Sequence, residues 1–199
     1  ILQYCNELQA DYSNISRVRP PLRIGIPPML STVFFPELLT AFQKVHPDIP
    51  LILEEYGSVR ACNLVQNDTL DLGLVNMEQY NIDKFNNTLL ATDQIVFCIS
   101  DSHRLAKKEA VTTQEMAREP LIFFNADSVL NQILKNRFEV DGYTPNVIMR
   151  CSQIYTTLQF LKTGNYGCFL FSSMTDKFSD VIGIPLKNPI RIKIGMVWK

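Results

Sequence analysis

Histidine is scarce in this chain: His46 and His103 are the only two among 199 residues. They lie far apart and in no metal-ligand spacing, which excludes a histidine-built metal centre and predicts turn histidines that bond to backbone. An excess of one charge is missing too. Basic residues number 19 against 20 acidic, and no Lys/Arg cluster forms a stripe, so this stretch lacks the footprint of a nucleic-acid surface. No apolar run reaches the length of a membrane span, and no signal peptide opens the chain. The five cysteines, Cys5, Cys62, Cys98, Cys151 and Cys168, are odd in number and widely spaced. A secreted disulfide framework or a zinc site needs other spacings, so they read as reduced core thiols of a cytosolic protein.

Catalytic signatures are equally thin. G-x-S-x-G, the P-loop, H-E-x-x-H and C-x-x-C are all absent. Gly164-Asn165-Tyr166-Gly167 follows a helical pattern and enters a strand, the wrong order for a dinucleotide fingerprint. Glu54 and Glu55 are adjacent on a predicted strand and point to opposite faces, so they cannot converge on one substrate and read as solvated strand face. No enzyme activity, metal or cofactor is expected.

What the chain does contain is alternation of strands and helices, with 46% hydrophobic residues to build a core. Leu22 to Ile26 reads as a buried strand. An amphipathic helix follows with Leu38, Leu39, Phe42 and Val45 on one face, stopped at His46-Pro47. Strand Leu51 to Tyr56, a helix capped by Ser58 and running to Gln66, a turn at Asn67-Asp68 and strand Asp71 to Val75 come next. Beyond a polar loop, Ile95 to Ile99 is fit for a fully buried strand, and Thr112 to Glu115 matches a capping box. Strands are then predicted at Leu121 to Phe124, Val147 to Arg150, Cys168 to Phe171, Val181 to Ile184 and Ile190 to Ile194. Helices open at Ser128, closing at Gly142, and at Ser152, closing at Gly164.

Such alternation builds parallel sheets, which bind ligands beyond the carboxyl ends of their strands. Polar, uncharged turns lie at those ends and open helices: Ser31-Thr32, Ser58, Ser128 and Ser152-Gln153. Helix starts carry unpaired N–H donors and positive dipole ends, so several facing one cleft suit a carboxylate or other small anion. At the other extreme, Ile1, Cys5, Leu8, Tyr12 and Ile15 are spaced as a coiled-coil seam. They read either as a helix packed on its own domain or as the end of a longer dimerising helix.

Five pieces, in order, resemble the effector-binding domain of LysR-type transcriptional regulators over nearly all of Leu22 to Lys199. They are Leu22-Arg23-Ile24-Gly25-Ile26; Phe35-Pro36-Glu37-Leu38-Leu39 with Phe42 and His46-Pro47-Asp48-Ile49; Leu70-Asp71-Leu72-Gly73-Leu74; Asp101-Ser102-His103-Arg104-Leu105; and Gly142-Tyr143-Thr144-Pro145. The resemblance implies an α/β fold of the type 2 periplasmic-binding-protein kind, two α/β lobes joined by two crossover strands around a cleft. Lobe one would be 22–94 plus 172–199 and lobe two 95–171, with 1–21 the end of a linker helix and hinge. It also implies a small-molecule effector, a cytoplasmic homodimer or homotetramer, and DNA contact only through a winged helix-turn-helix that this chain does not contain. Ligand contacts carry over to Pro28, Met29, Leu30 and Ser58 on lobe one and to Ser128, Val129, Leu130 and Ile154 on lobe two. Met29 stands where many members have a small or hydroxylated residue, which moves the anion contact to backbone or to Ser31 and Thr32. The run Phe171-Ser172-Ser173 lacks the usual Pro, which directs Tyr166 toward the cleft instead. A transporter's solute-binding protein, which shares the fold, is the alternative.

Overall fold

A computed structural model describes residues 20–78, 81–126 and 128–199. The heptad of Ile1 to Ile15 lies outside the described residues.

Three short strands form the first half of the molecule: β1 (Leu22–Ile26), β2 (Leu51–Glu55) and β3 (Leu72–Asn76). They pair in parallel with β1 in the middle, which requires long crossovers, and these are α1 (Pro28–Val45) and α2 (Ser58–Gln66). Far from the helix-bearing strand ends, the Arg23 guanidinium donates to Asp71 at 2.9 and 3.2 Å and the Arg23 amide at 2.7 Å. These bonds tie the starts of β1 and β3 and hold the Asp71 carboxyl below its usual range. The turn before β3 closes at Asp68, whose φ of 58° is the left-handed geometry expected there.

Only Met29, Leu30 and Val33 of α1 are buried. The apolar face predicted from Leu38, Leu39, Phe42 and Val45 adds no buried residue: Leu39 and Phe42 are half-buried, and Leu38 and Val45 are 42% and 71% exposed. Length explains it. An 18-residue helix runs about 27 Å, whereas the five-residue strands under it run about 17 Å, so the last turns overhang the sheet.

Two long antiparallel strands, β4 (Asn86–Ser100) and β8 (Val181–Trp198), hold the molecule together. The last residues of β8 pair with β3, and the second half of β4 pairs with β7 (Cys168–Phe171), giving the order β2-β1-β3-β8-β4-β7. Beside it, β5 (Leu121–Phe123) and β6 (Val147–Arg150) pair in parallel, and Ile122 donates to Gly167 O at 2.8 Å to join them to β7. The result is the two-lobed α/β architecture, with β4 and β8 passing between lobes.

The strands expected at Val181 to Ile184 and Ile190 to Ile194 are the two ends of β8, and Ile95 to Ile99 is the inner part of β4. Pairing passes from Ile95↔Ile190 to Val96↔Pro185, so residues 186–189 leave the ladder without ending the strand. Pro185 and Asn188-Pro189 mimic a loop in sequence because proline cannot donate to a ladder.

The remaining helices are α3 (Thr113–Ala117), α4 (Val129–Val140), α5 (Ile154–Leu161) and α6 (Ser172–Thr175). At α3 the capping box is present as predicted: Glu115 N–H donates to Thr112 Oγ1 at 3.3 Å, and Thr112 N–H to Glu115 Oε2 at 2.9 Å. The core of the second lobe is aromatic, with Phe97, Phe123 and Phe138 around Phe169 at centroid distances of 5.5, 5.8 and 6.4 Å. His103 is buried, accepting from Leu105 N–H through Nδ1 as a turn histidine does, with Nε2 3.2 Å from Glu119. Among the described residues no helix is long and apolar enough to cross a membrane, and no group of three His, Cys, Asp or Glu is arranged to hold a metal.

Candidate functional site

Between the lobes lies a cavity of about 250 Å³ at the carboxyl ends of the strands. Three helices start on it, each because of what precedes it. Pro27 and Pro28 open α1, since proline suits positions whose N–H would be unpaired. Ser31 N–H closes the first turn on Pro27 O at 2.9 Å, leaving the Met29 and Leu30 amides without intrahelical acceptors. Gly57 caps α2, Ala61 N–H closes its turn at 2.9 Å, and the amides of Ser58, Val59 and Arg60 are left over in the same way. Ser128 caps α4, where Asn131 N–H closes on Ser128 O at 3.1 Å and leaves the Val129 and Leu130 amides.

Seven of the predicted residues border this one cavity. Pro28, Met29, Leu30 and Ser58 approach from the first lobe, and Ser128, Val129 and Leu130 from the second. Ser58 does not cap its helix as expected. It is the first helical residue, 4% exposed, and its Oγ accepts the Asn76 N–H at 3.0 Å from the end of β3. A hydroxyl has one hydrogen to donate besides its acceptor sites, and that hydrogen is not used by Asn76. Ser128 occupies the cap position without a side-chain cap bond. The other expected cap, Ser152, stands one residue before Gln153, the residue that caps α5, and its Oγ accepts from Asn125 N–H at 3.3 Å.

Four predicted contacts lie elsewhere. Thr32 Oγ1 turns back to Pro28 O at 3.1 Å because a hydroxyl one turn into a helix finds a carbonyl within reach, and Ser31 Oγ lies 2.7 Å from both Pro28 O and Glu55 Oε1, its one hydrogen shared between the two acceptors. Ile154 packs against the core from the first turn of α5. Tyr166 is held edge-on to Phe160 at 5.6 Å instead of reaching the cleft.

The cavity also has walls that the sequence reasoning passed over. Glu55 ends β2, Asn76 ends β3, Phe124 follows β5 and Phe171 ends β7. Tyr56 and Arg60 complete the first-lobe side, the guanidinium lying 4.6 Å over the tyrosine ring. The signal for all four strand-end residues was present: ligands gather at carboxyl ends of strands whatever the residue type, whereas only the hydroxyl-bearing ends were picked out. The site offers an apolar body, amide and hydroxyl donors, and a cation and an anion among its walls.

A sequence profile of the LysR substrate binding domain matches residues 16–199. The chain belongs to the LysR substrate-binding domain family. This LysR domain is similar to YwbI, an uncharacterized HTH-type transcriptional regulator of Bacillus subtilis (strain 168), with 30% identity over 182 residues. That alignment covers 89% of the chain and 60% of the relative, so the chain spans about 60% of its length. In fold, the domain is similar to the effector binding domain of QuiR in complex with shikimate, with a TM-score of 0.77 and 18% identity over 90% of this chain and 87% of that one. It is similar as well to HinK, a LysR family transcriptional regulator from Pseudomonas aeruginosa, with a TM-score of 0.74 and 16% identity over 98% and 70%. The relatives are transcriptional regulators and not transporter binding proteins.

Proposed function

We propose that this LysR domain senses a small anionic metabolite in the cleft and passes the signal to a separate DNA-binding domain of a cytoplasmic regulator. One observation carries the reading: three helix N-termini and the Ser58 hydroxyl converge on a single cavity that draws walls from both lobes. Such termini favour anions by dipole and by free amides. A ligand touching both lobes favours one lobe arrangement by its differential affinity for the two. The chain itself carries no basic footprint, so DNA contact belongs to the winged helix-turn-helix expected upstream.

The pairing of the long strands shifts at Ile95/Val96 on β4, next to the proposed division between residues 94 and 95, and this shift supports that division. On the return leg the sequence puts the division at 171/172. The pairing of Val181–Pro185 with Val96–Ser100 favours a later crossing at residues 186–189. Assembly as a homodimer or homotetramer is supported by the exposed apolar residues of the overhanging α1 and of edge strand β2, Leu38, Val45 and Ile52.

The test is a thermal-shift screen of small carboxylates and other metabolites, followed by calorimetry on two variants. Ser58→Ala and Ser128→Ala are each expected to weaken the ligand found by about 10- to 150-fold, the loss of one hydrogen bond to a charged group. Ser128 makes no cap bond, so its variant separates loss of binding from loss of stability. Unchanged affinity in both variants would place the ligand elsewhere and overturn the reading.

A further inference from the structure

Two side chains of opposite charge line the cleft and do not meet. Glu55 closes β2, Arg60 lies in the first turn of α2, and both border the same cavity. Among the described residues no ion pair joins them, and neither is paired with another charged group. Each is aimed by an uncharged neighbour instead: Ser31 Oγ lies 2.7 Å from Glu55 Oε1, and Tyr56 lies under Arg60. Strand alternation separates the two glutamates that sequence reasoning dismissed together. Glu55 reaches α1 and the cleft, and Glu54 is not among the cavity walls.

The polar groups of the cavity therefore fall into two sets. The Ser58 hydroxyl is more than nine-tenths buried, with its hydrogen unspent beside the first-turn amides of α2, and Arg60 borders the same cavity. These groups donate. An ionised Glu55 only accepts. A simple carboxylate satisfies the donors but meets Glu55 as a like charge. A molecule carrying both an ammonium group and a carboxylate satisfies both sets, and neither charge is left facing its own sign. Met29, Leu130, Phe124 and Phe171 leave the space between for an apolar body.

We infer that the cleft takes a zwitterionic ligand, an amino acid or related amino carboxylate with an apolar side group. Its ammonium group sits on Glu55 and its carboxylate on Ser58 and the start of α2. This rests on the reading of the cleft as the effector site.

Calorimetry of the chain with each proteinogenic L-amino acid supplies the test, every binder being compared with the matching acid that lacks the amine and the matching amine that lacks the acid. The intact amino acid is expected to bind about tenfold or more tightly than either fragment. Glu55→Gln is expected to abolish its advantage over the des-amino acid, weakening the amino acid and, because a like charge is removed, strengthening the des-amino acid. The melting temperature of the ligand-free variant verifies its fold, since Glu55 is exposed. Equal affinity of the amino acid and its des-amino form, undiminished binding in Glu55→Gln, or no binding by any amino acid overturns the inference. If a plain carboxylate from the wider screen binds and Ser58→Ala and Ser128→Ala weaken it, the zwitterion is wrong and the effector site stands. If no metabolite of either kind binds, both fall.

Discussion

Ser58 carries a structural role and, in the proposed site, a binding role on one oxygen. By accepting the Asn76 N–H it fixes the end of β3 against the start of α2, and its hydrogen stays free for the cavity. Removing the hydroxyl leaves a buried N–H unpaired at about 1–3 kcal/mol, which is why Ser128 is the cleaner probe of binding. Close approach decides another position. A Cβ on Gly167 would stand 2.3 Å from Phe97 Cζ, and Phe97 is fully buried in the aromatic core. Gly167→Ala is therefore expected to lower unfolding stability by about 1–3 kcal/mol in urea titrations; a loss under about 0.5 kcal/mol would mean that the ring has room to move. Thiol chemistry follows burial in the same way. Desolvation pushes the Cys62 thiol up to about 11 and the Cys168 thiol well above its ordinary value, as suits reduced core cysteines.

Elements hold their shape here through their ends. The capping box of α3 places the Glu115 carboxylate between the Lys108 ammonium group and the Thr112 amide and hydroxyl, and these hold its pKa near about 2 instead of the usual 4.5. Because the folded value is the depressed one, this contribution is complete above about pH 4.5 and is lost as the pH falls toward about 2. Glu115→Gln should thus lower the urea midpoint at neutral pH, and the gap to the parent should close on acidification. A gap that stays constant to pH ~2.5 would show that the carboxylate's charge plays no part. Helices α4 and α5 end at residues with positive φ, Gly142 at 76° and Gly164 at 82°, where a side chain would be strained. Starts were harder to read than stops: Ser58 and Ser152 both look like caps, yet Gly57 and Gln153 hold the cap positions. Serine at a helix start serves either as a cap or as an acceptor for a neighbouring strand end, and only the neighbour decides which.

At the scale of the molecule, the long strands β4 and β8 are continuous through both lobes, and their irregular pairing is confined to Leu89/Ala91 and Ile95/Val96. The second of these lies next to the proposed lobe division, and the proposal makes it the place for relative lobe movement. Ligand in the cleft should then compact the molecule and stabilise it together. At about 100 times its Kd a ligand adds about 2.7 kcal/mol, a rise of about 5–10 °C in melting temperature for a chain of this size. Small-angle scattering should record a smaller radius of gyration in the same sample. Stabilisation without any change of shape would confine the ligand to one lobe.

Much of this was legible in the residues alone. The order of strands and helices, the turn at Asp68 and the capping box at Thr112 follow from periodicity and turn chemistry, local properties of the chain, and the two-lobed fold class from the family resemblance that five ordered motifs carry. Seven of eleven proposed contacts meet in one cavity because strand ends in such sheets share a rim. Tertiary structure decided the rest. It turned Thr32 back onto its own helix, set Ser31 between Pro28 and Glu55, packed Tyr166 on Phe160, joined two apparent strands into β8 and left the end of α1 uncovered. It alone brought Glu55, Arg60, Phe124 and Phe171 to the same cavity, because which strand ends face each other depends on how two lobes are hung from β4 and β8, and nothing within a window of neighbouring residues records that.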